Sequence, residues 1–205
     1  MNRFRTIALT VVTGFVLIAC GPAASGSSEA PGHSEAAASQ PQASSGDGGL
    51  PSLTEGAVAD LEALIPNTVG DITIAKESVQ TGEFLTAPGS DPAAVKFVED
   101  LGVSPNDISI ATGSGSNADF SKFVFVFAIR AQGADSSRLV SAFKTASADA
   151  DSSPLQWASA TMGGKSVETS GGAAGTNTIY ATGDVLFWVL SNDAALAEQF
   201  VSQLP

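Results

Sequence analysis

Phe123-Val-Phe-Val-Phe-Ala-Ile129 decides how this chain reads. Side chains alternate across a strand, so Phe123, Phe125, Phe127 and Ile129 point to one face and Val124, Val126 and Ala128 to the other. Aromatic and β-branched residues favour extended backbone. Apolar side chains on both faces mark a central strand, covered by helices on at least one side. A second run of the same kind, Val185-Leu-Phe-Trp-Val-Leu190, lies near the end of the sequence. The rest of the chain is read outward from these two.

After the first run, Gly133-Ala-Asp135-Ser-Ser opens a helix whose apolar stripe is Leu139, Val140, Phe143 and Ala146. Gly163-Gly164 is a two-residue hairpin signal between strands at 157–162 and 165–169. A glycine-rich loop at 171–176 leads to a strand at 178–182, and Gly183-Asp184 turns the chain into 185–190. Asp193 caps a last helix with Leu196, Phe200 and Leu204 on one side.

Before the first run, a short strand is expected at 108–112. Asp91-Pro92 starts a helix with Val95, Val98 and Leu101 facing one way, and Gly102 ends it. Ile72, Ile74 and Val79 belong to a strand-like run ending near Gly82. Ser52-Leu-Thr-Glu55 is a capping-box pattern ahead of Val58, Leu61, Leu64 and Ile65, and Pro66 stops that helix. The order predicts an α+β fold, a mostly antiparallel sheet with helices packed on one face in two layers. Residues 123–143 and 185–204 each run strand, acidic cap, helix, and so suggest two similar strand–helix units packed the same way.

The start of the chain carries a different kind of information. Met1-Asn-Arg-Phe-Arg5 holds two positive charges, and the apolar run at 6–19 is shorter than the ~20 residues of a membrane span. A basic start followed by a short apolar stretch is the layout of an export signal. Leu17-Ile18-Ala19-Cys20 resembles the lipobox of bacterial lipoproteins. The resemblance implies that the Cys20 thiol takes diacylglycerol, that the bond before it is cut, and that the new N-terminus is often acylated too. Cys20 is the only cysteine. An exported chain with one thiol forms no internal disulfide, and lipidation explains why the thiol is there. At ~0.8 kcal/mol per buried methylene, two or more acyl chains give stable anchoring where one does not. The chain therefore divides into a signal peptide at 1–19, a lipidated Cys20 with a tether through 49, and a single domain at 50–205. The tether is almost entirely Gly, Ala, Ser, Pro, Gln and scattered acids, a composition with too little apolar surface to fold. A flexible coil of that length reaches ~30 Å.

Composition narrows the partners. Of 9 basic residues, Arg3 and Arg5 leave with the signal, so 7 face 21 acidic ones, a net of −14. Nucleic acids are bound through Lys and Arg contacts to phosphate, so this balance argues against them and against lying flat on anionic lipid. Residues 50–205 contain neither Cys nor His. Ser-His-Asp triads, Cys-His dyads and histidine zinc sites are thereby removed, and no catalytic residue, metal or cofactor is assigned. Gly164-Lys165-Ser166 matches the end of a phosphate-binding loop, but Ser159 stands where its first glycine belongs. Ser141-Ala-Phe-Lys144 matches the Ser-x-x-Lys pattern of penicillin-recognising enzymes, yet both residues fall on the polar side of an amphipathic helix and no Lys-Thr-Gly partner exists.

Two functions fit. The first is a non-enzymatic interaction or structural module, held by acyl groups on Cys20 to the outer face of the cell membrane, or facing the periplasm or on the outer membrane in a two-membrane envelope, and engaging an envelope protein. The second is a carrier or sensor of a small apolar molecule or lipid. Its expected ligand surface is a second apolar sheet face made of Val124, Val126, Leu186, Trp188 and Leu190, lining a cavity between sheet and helices.

Overall fold

The structure, a computed structural model, describes residues 53–80, 82, 85–87, 90–149, 155–172 and 174–205. The expected export signal and tether, with Cys20 and Ser52, lie outside the described residues. All the described residues belong to one compact unit, Leu50–Pro205.

Among the described residues, nine strands and four helices follow one another along the chain. First come helix α1 (Ala59–Glu62) and strands β1 (Thr68–Val69), β2 (Ile72–Thr73) and β3 (Ala75–Val79). Helix α2 (Pro92–Leu101) leads to β4 (Ile108–Ser116), β5 (Phe123–Ala131) and helix α3 (Ser136–Asp149). The chain closes with β6 (Ala158–Met162), β7 (Lys165–Gly172), β8 (Gly175–Thr182), β9 (Val185–Ser191) and helix α4 (Ala194–Gln203). β1 and β2 pair only with each other, and the other seven strands form one sheet in the order β3-β4-β5-β9-β8-β7-β6. Every ladder is antiparallel. The α+β class and the antiparallel sheet are as the sequence led one to expect, and the two runs apolar on both faces are neighbours at its centre.

Register decides what each face holds. Across the β5–β9 ladder Val126 sits opposite Val189 and Ala128 opposite Phe187, while Phe127 meets Trp188 and Ile129 meets Leu186. Directly opposed residues share a face, so the sheet has a valine face and a phenylalanine face. On the valine face Val124, Val126, Ala128, Phe187 and Val189 pack with Leu61, Ile65, Val69, Ile72, Leu196 and Phe200. Its cover is thus α1, the β1–β2 hairpin and α4. On the other face Ile110, Ile129, Leu186 and Ile179 pack with Phe97, Leu101, Leu139 and Ala142 from α2 and α3. Helices therefore lie on both faces rather than one, because both central strands are apolar on both sides and each side needs cover. The two strand–helix units, β5–α3 and β9–α4, do exist, but their helices pack on opposite faces.

The cover on the valine face sits unusually close. A Cβ on Gly115 would lie 2.5 Å from the Thr73 carbonyl oxygen and 2.6 Å from Ile72 Cγ2. One on Gly113 would lie 2.8 Å from Val126 Cγ1 and 2.9 Å from Ile74 Cγ2. These glycines let the β1–β2 hairpin rest directly on β4. They also hide the full length of β4, which runs past the expected 108–112, since glycine weakens the sequence signal of a strand.

Local signals fared unevenly. Asp91 accepts from the Ala93 N–H (2.8 Å), Gly102 closes α2 with φ 60°, and Asp193 accepts from the Leu196 N–H (2.9 Å), as the caps required. The helix after Glu55 shrinks to four residues, although Val58, Leu61 and Ile65 are all buried. Thr54 instead pairs in extended backbone with Ser78, donating at 2.9 Å and accepting at 3.0 Å. Buried Glu62 holds this arrangement, its Oε1 accepting from Gly56 N–H (2.8 Å) and Ser78 Oγ (2.5 Å). The expected loop at 171–176 is largely strand, with β7 running to Gly172 and β8 starting at Gly175.

Candidate functional site

The expected apolar ligand surface does not come together. Val124 and Val126, 1% and 0% exposed, lie under cover on the valine face. Leu186, at 0%, lies on the phenylalanine face, as do partly buried Trp188 and Leu190. The expected grouping puts the two strands one residue out of phase, and a slip of one moves every side chain to the opposite face. Cys20 lies outside the described residues.

Trp188 belongs to a packed aromatic layer. Its ring is 5.7 Å from Phe143 and 6.5 Å from Phe125, and Phe143 is 6.3 Å from both Phe97 and Trp157. The indole N–H groups are satisfied: Trp188 Nε1 donates to Asn177 Oδ1 (3.0 Å) and Trp157 Nε1 to Ser147 Oγ (3.3 Å). Edge-to-face rings with paired polar ends are what a core of this kind requires.

Two open clefts have mixed polar and apolar linings. One, of about 570 Å³, runs between α3 and strands β7 and β8 and includes Ser141, Lys144, Glu168 and Ile179. Lys144 Nζ lies 2.7 Å from Glu168 Oε2, and Ser159 Oγ donates to Glu168 Oε1 at 2.7 Å. The Lys144 bond first, and the Ser159 bond after it, hold the Glu168 carboxyl below its ordinary range. Of the Ser-x-x-Lys pair, Lys144 is thus engaged by Glu168. The other cleft, about 440 Å³, borders β3 and includes Glu62 and Lys76. Lys76 Nζ donates to the carbonyls of Glu62 (3.1 Å) and Ile65, closing the end of α1. Burial lowers its pKa, with nearby Glu62 pulling the other way. Gly163 and Gly164 turn with φ 56° and 79° into β7, and Lys165 Nζ lies 5.2 Å from the centre of the Tyr180 ring. No helix N-terminus follows to hold a phosphate. Among the described residues, no group of three or more His, Cys, Asp or Glu is placed to hold a metal ion.

The remaining candidate is the tip of the β4–β5 hairpin, Asn117-Ala-Asp-Phe-Ser-Lys122. Phe120 has φ 57° and is 78% exposed. Among the described residues it is the one non-glycine in left-handed backbone and the one large apolar side chain standing exposed. Hydrogen bonds fix the loop from within: Phe120 N–H donates to the Asn117 carbonyl (3.1 Å), Lys122 N–H to Asn117 Oδ1 (2.9 Å) and Ser121 N–H to Asp119 Oδ1 (3.1 Å). Asn192 fixes it from outside, donating through Nδ2 to the Ser121 carbonyl (2.9 Å) and accepting from Phe123 N–H (2.9 Å). Lys122 Nζ meets Asp193 Oδ2 at 2.7 Å, a contact that raises the lysine pKa and lowers that of the aspartate. The Ser121 hydroxyl likewise lowers the Asp119 carboxyl. In the sequence the one signal of this loop is a lone phenylalanine inside a polar turn.

In comparisons with known proteins, no family model matches the chain, and neither a curated protein nor a solved structure shows significant similarity to it.

Proposed function

We propose that the chain is a lipoprotein held outside the cytoplasm by acyl groups on Cys20, and that its folded part is a non-enzymatic interaction module docking on an envelope protein through Phe120. The anchor is the outer face of the cell membrane or, in a two-membrane envelope, a surface facing the periplasm or the outer membrane. Among the described residues no helix is long and apolar enough to cross a membrane.

Phe120 carries the reading. Left-handed backbone costs a non-glycine residue ~1–2 kcal/mol, and leaving a phenylalanine in water forgoes ~1.5–3 kcal/mol of burial. Neither cost returns anything to the fold, because the ring touches no core. Strain held rigid by its surroundings is a common mark of a working site, and aromatic anchors dominate protein interfaces. With exposed Asp119 beside the ring and a net charge of −14 on the chain without its signal, the fitting partner is an apolar pocket with a basic rim. The carrier reading has less support, since its five residues are divided between two faces.

A photo-crosslinking amino acid at position 120 of the lipidated chain in its native envelope tests this. One discrete protein adduct is expected at 120, with none at Glu198, exposed on α4. Equal labelling at both positions, or none at 120, overturns the proposal.

A further inference from the structure

The sheet has two edges, and they are built differently. β3 is blunted: it carries Lys76 and Glu77, and Thr54 already pairs with Ser78 on its outer side. Charges and partial cover of this kind are how natural sheets prevent edge-to-edge pairing. β6, Ala158-Ser-Ala-Thr-Met162, has no charge, no proline and no bulge, and it pairs continuously with β7 over all five residues. Among the described residues nothing pairs with its outer side. In a chain this acidic, a neutral strand on an open edge is where two copies can meet without facing like charges.

The Gly163-Gly164 turn fixes which backbone groups are free. Both glycines have positive φ, and Met162 pairs with Lys165 directly across them. In a two-residue hairpin that flanking pair exchanges both hydrogen bonds, and bonded and non-bonded pairs then alternate. Ala158, Ala160 and Met162 thus turn their N–H and C=O groups to β7, and Ser159 and Thr161 turn theirs outward.

We propose that β6 pairs with β6 of a second copy, antiparallel about a two-fold axis at Ala160, joining two sheets into one. Ser159 of each copy then meets Thr161 of the other and exchanges two main-chain hydrogen bonds with it, and Ala160 faces Ala160 as a non-bonded pair. The free groups lie one residue either side of a centre, which is the self-complementarity an isologous interface needs. The inference stands apart from the Phe120 reading and fails or holds without it.

The test uses the full chain with Cys20→Ser, which removes its one native thiol. Ala160→Cys places two thiols at a non-bonded antiparallel pair, where Cα atoms are ~4.5 Å apart and within disulfide range. Under mild oxidation this variant is expected to form a covalent dimer at least about tenfold faster than Glu198→Cys. Adding Thr161→Lys should remove most of that advantage. Thr161→Pro, which deletes an outward N–H that β7 does not use, should shift sedimentation from dimer to monomer with the thermal midpoint retained. Equal rates at 160 and 198 overturn the proposal. So does fast cross-linking at 160 that neither Thr161 variant slows.

Discussion

The valine and phenylalanine faces share the same strands but are sealed in different ways. The valine face is covered by short pieces, a four-residue helix, two strands of two residues each and the C-terminal helix, yet Val124, Val126, Phe187 and Val189 are all buried. The phenylalanine face lies under helices of ten and fourteen residues, and Phe123, Phe125, Phe127, Trp188 and Leu190 remain only partly buried. Close approach is what seals the valine face. Gly113, Gly115, Ala111 and Ala128 leave no side chain or a short one on the valine face, so thin cover reaches the sheet. On the other face Ile110, Ile129, Ile179 and Leu186 are just as fully buried against α2 and α3, and the partly buried side chains lie toward the Phe123 end of β5. Thin cover in close contact thus excludes water from the valine face as well as long helices do elsewhere.

The comparison breaks most easily with matched truncations. Phe187→Ala removes a fully buried ring that stacks on Tyr180 (6.2 Å between centroids) and should cost ~3–5 kcal/mol. Phe125→Ala removes a ring of the same size from the other face, and partial exposure should cut the loss to roughly half of that. Urea unfolding of both variants measures the ratio. Equal losses would show that the phenylalanine face is as dry as the valine face, and the contrast between them would fall.

Gly115→Ala sharpens the same point with a smaller effect. The added Cβ meets the Thr73 carbonyl, a backbone atom that has little room to give. Overpacking of this kind costs ~1–3 kcal/mol, and it should act by lifting the β1–β2 hairpin. Hydrogen exchange at Val69 and Ile72 should quicken in that variant while exchange in α2 and α3 stays as it was. Uniform quickening across both faces would mean the hairpin is not a separate cover.

These differences trace what could be seen in the sequence. Phe123–Ile129 and Val185–Leu190 announced central strands because a short run apolar on both faces is stable only when both faces are covered. Asp91 and Asp193 announced helix starts because a cap acts within three residues. The face chosen by each helix was hidden, as it depends on how Val126 registers with Val189 across a ladder that no local pattern encodes. For the same reason Val124 and Val126 were grouped with Leu186, Trp188 and Leu190. β1 escaped notice at two residues, the single run expected from Ile72 to near Gly82 is divided into β2 and β3, and the glycines of β4 masked its full length. Phe120 was the least legible, since left-handed backbone is expected of Gly, Asn or Asp.

Phe120 also sets the limit of the comparison, because it is a large apolar side chain that neither face covers. Replacing it with glycine should relieve ~1–2 kcal/mol of left-handed strain and return ~0.5–1 kcal/mol to the flexibility of the unfolded chain. The net is a gain of about 0.5 kcal/mol, opposite in sign to the substitutions on either face. Phe120→Ala keeps the Cβ and therefore the strain, so it should stay within ~0.5 kcal/mol of the parent. Urea midpoints of the two variants, measured side by side, separate backbone strain from loss of the ring. A loss of ~2 kcal/mol or more in both would place Phe120 in a core after all, and the ring would then be explained by folding, with no partner needed to account for it.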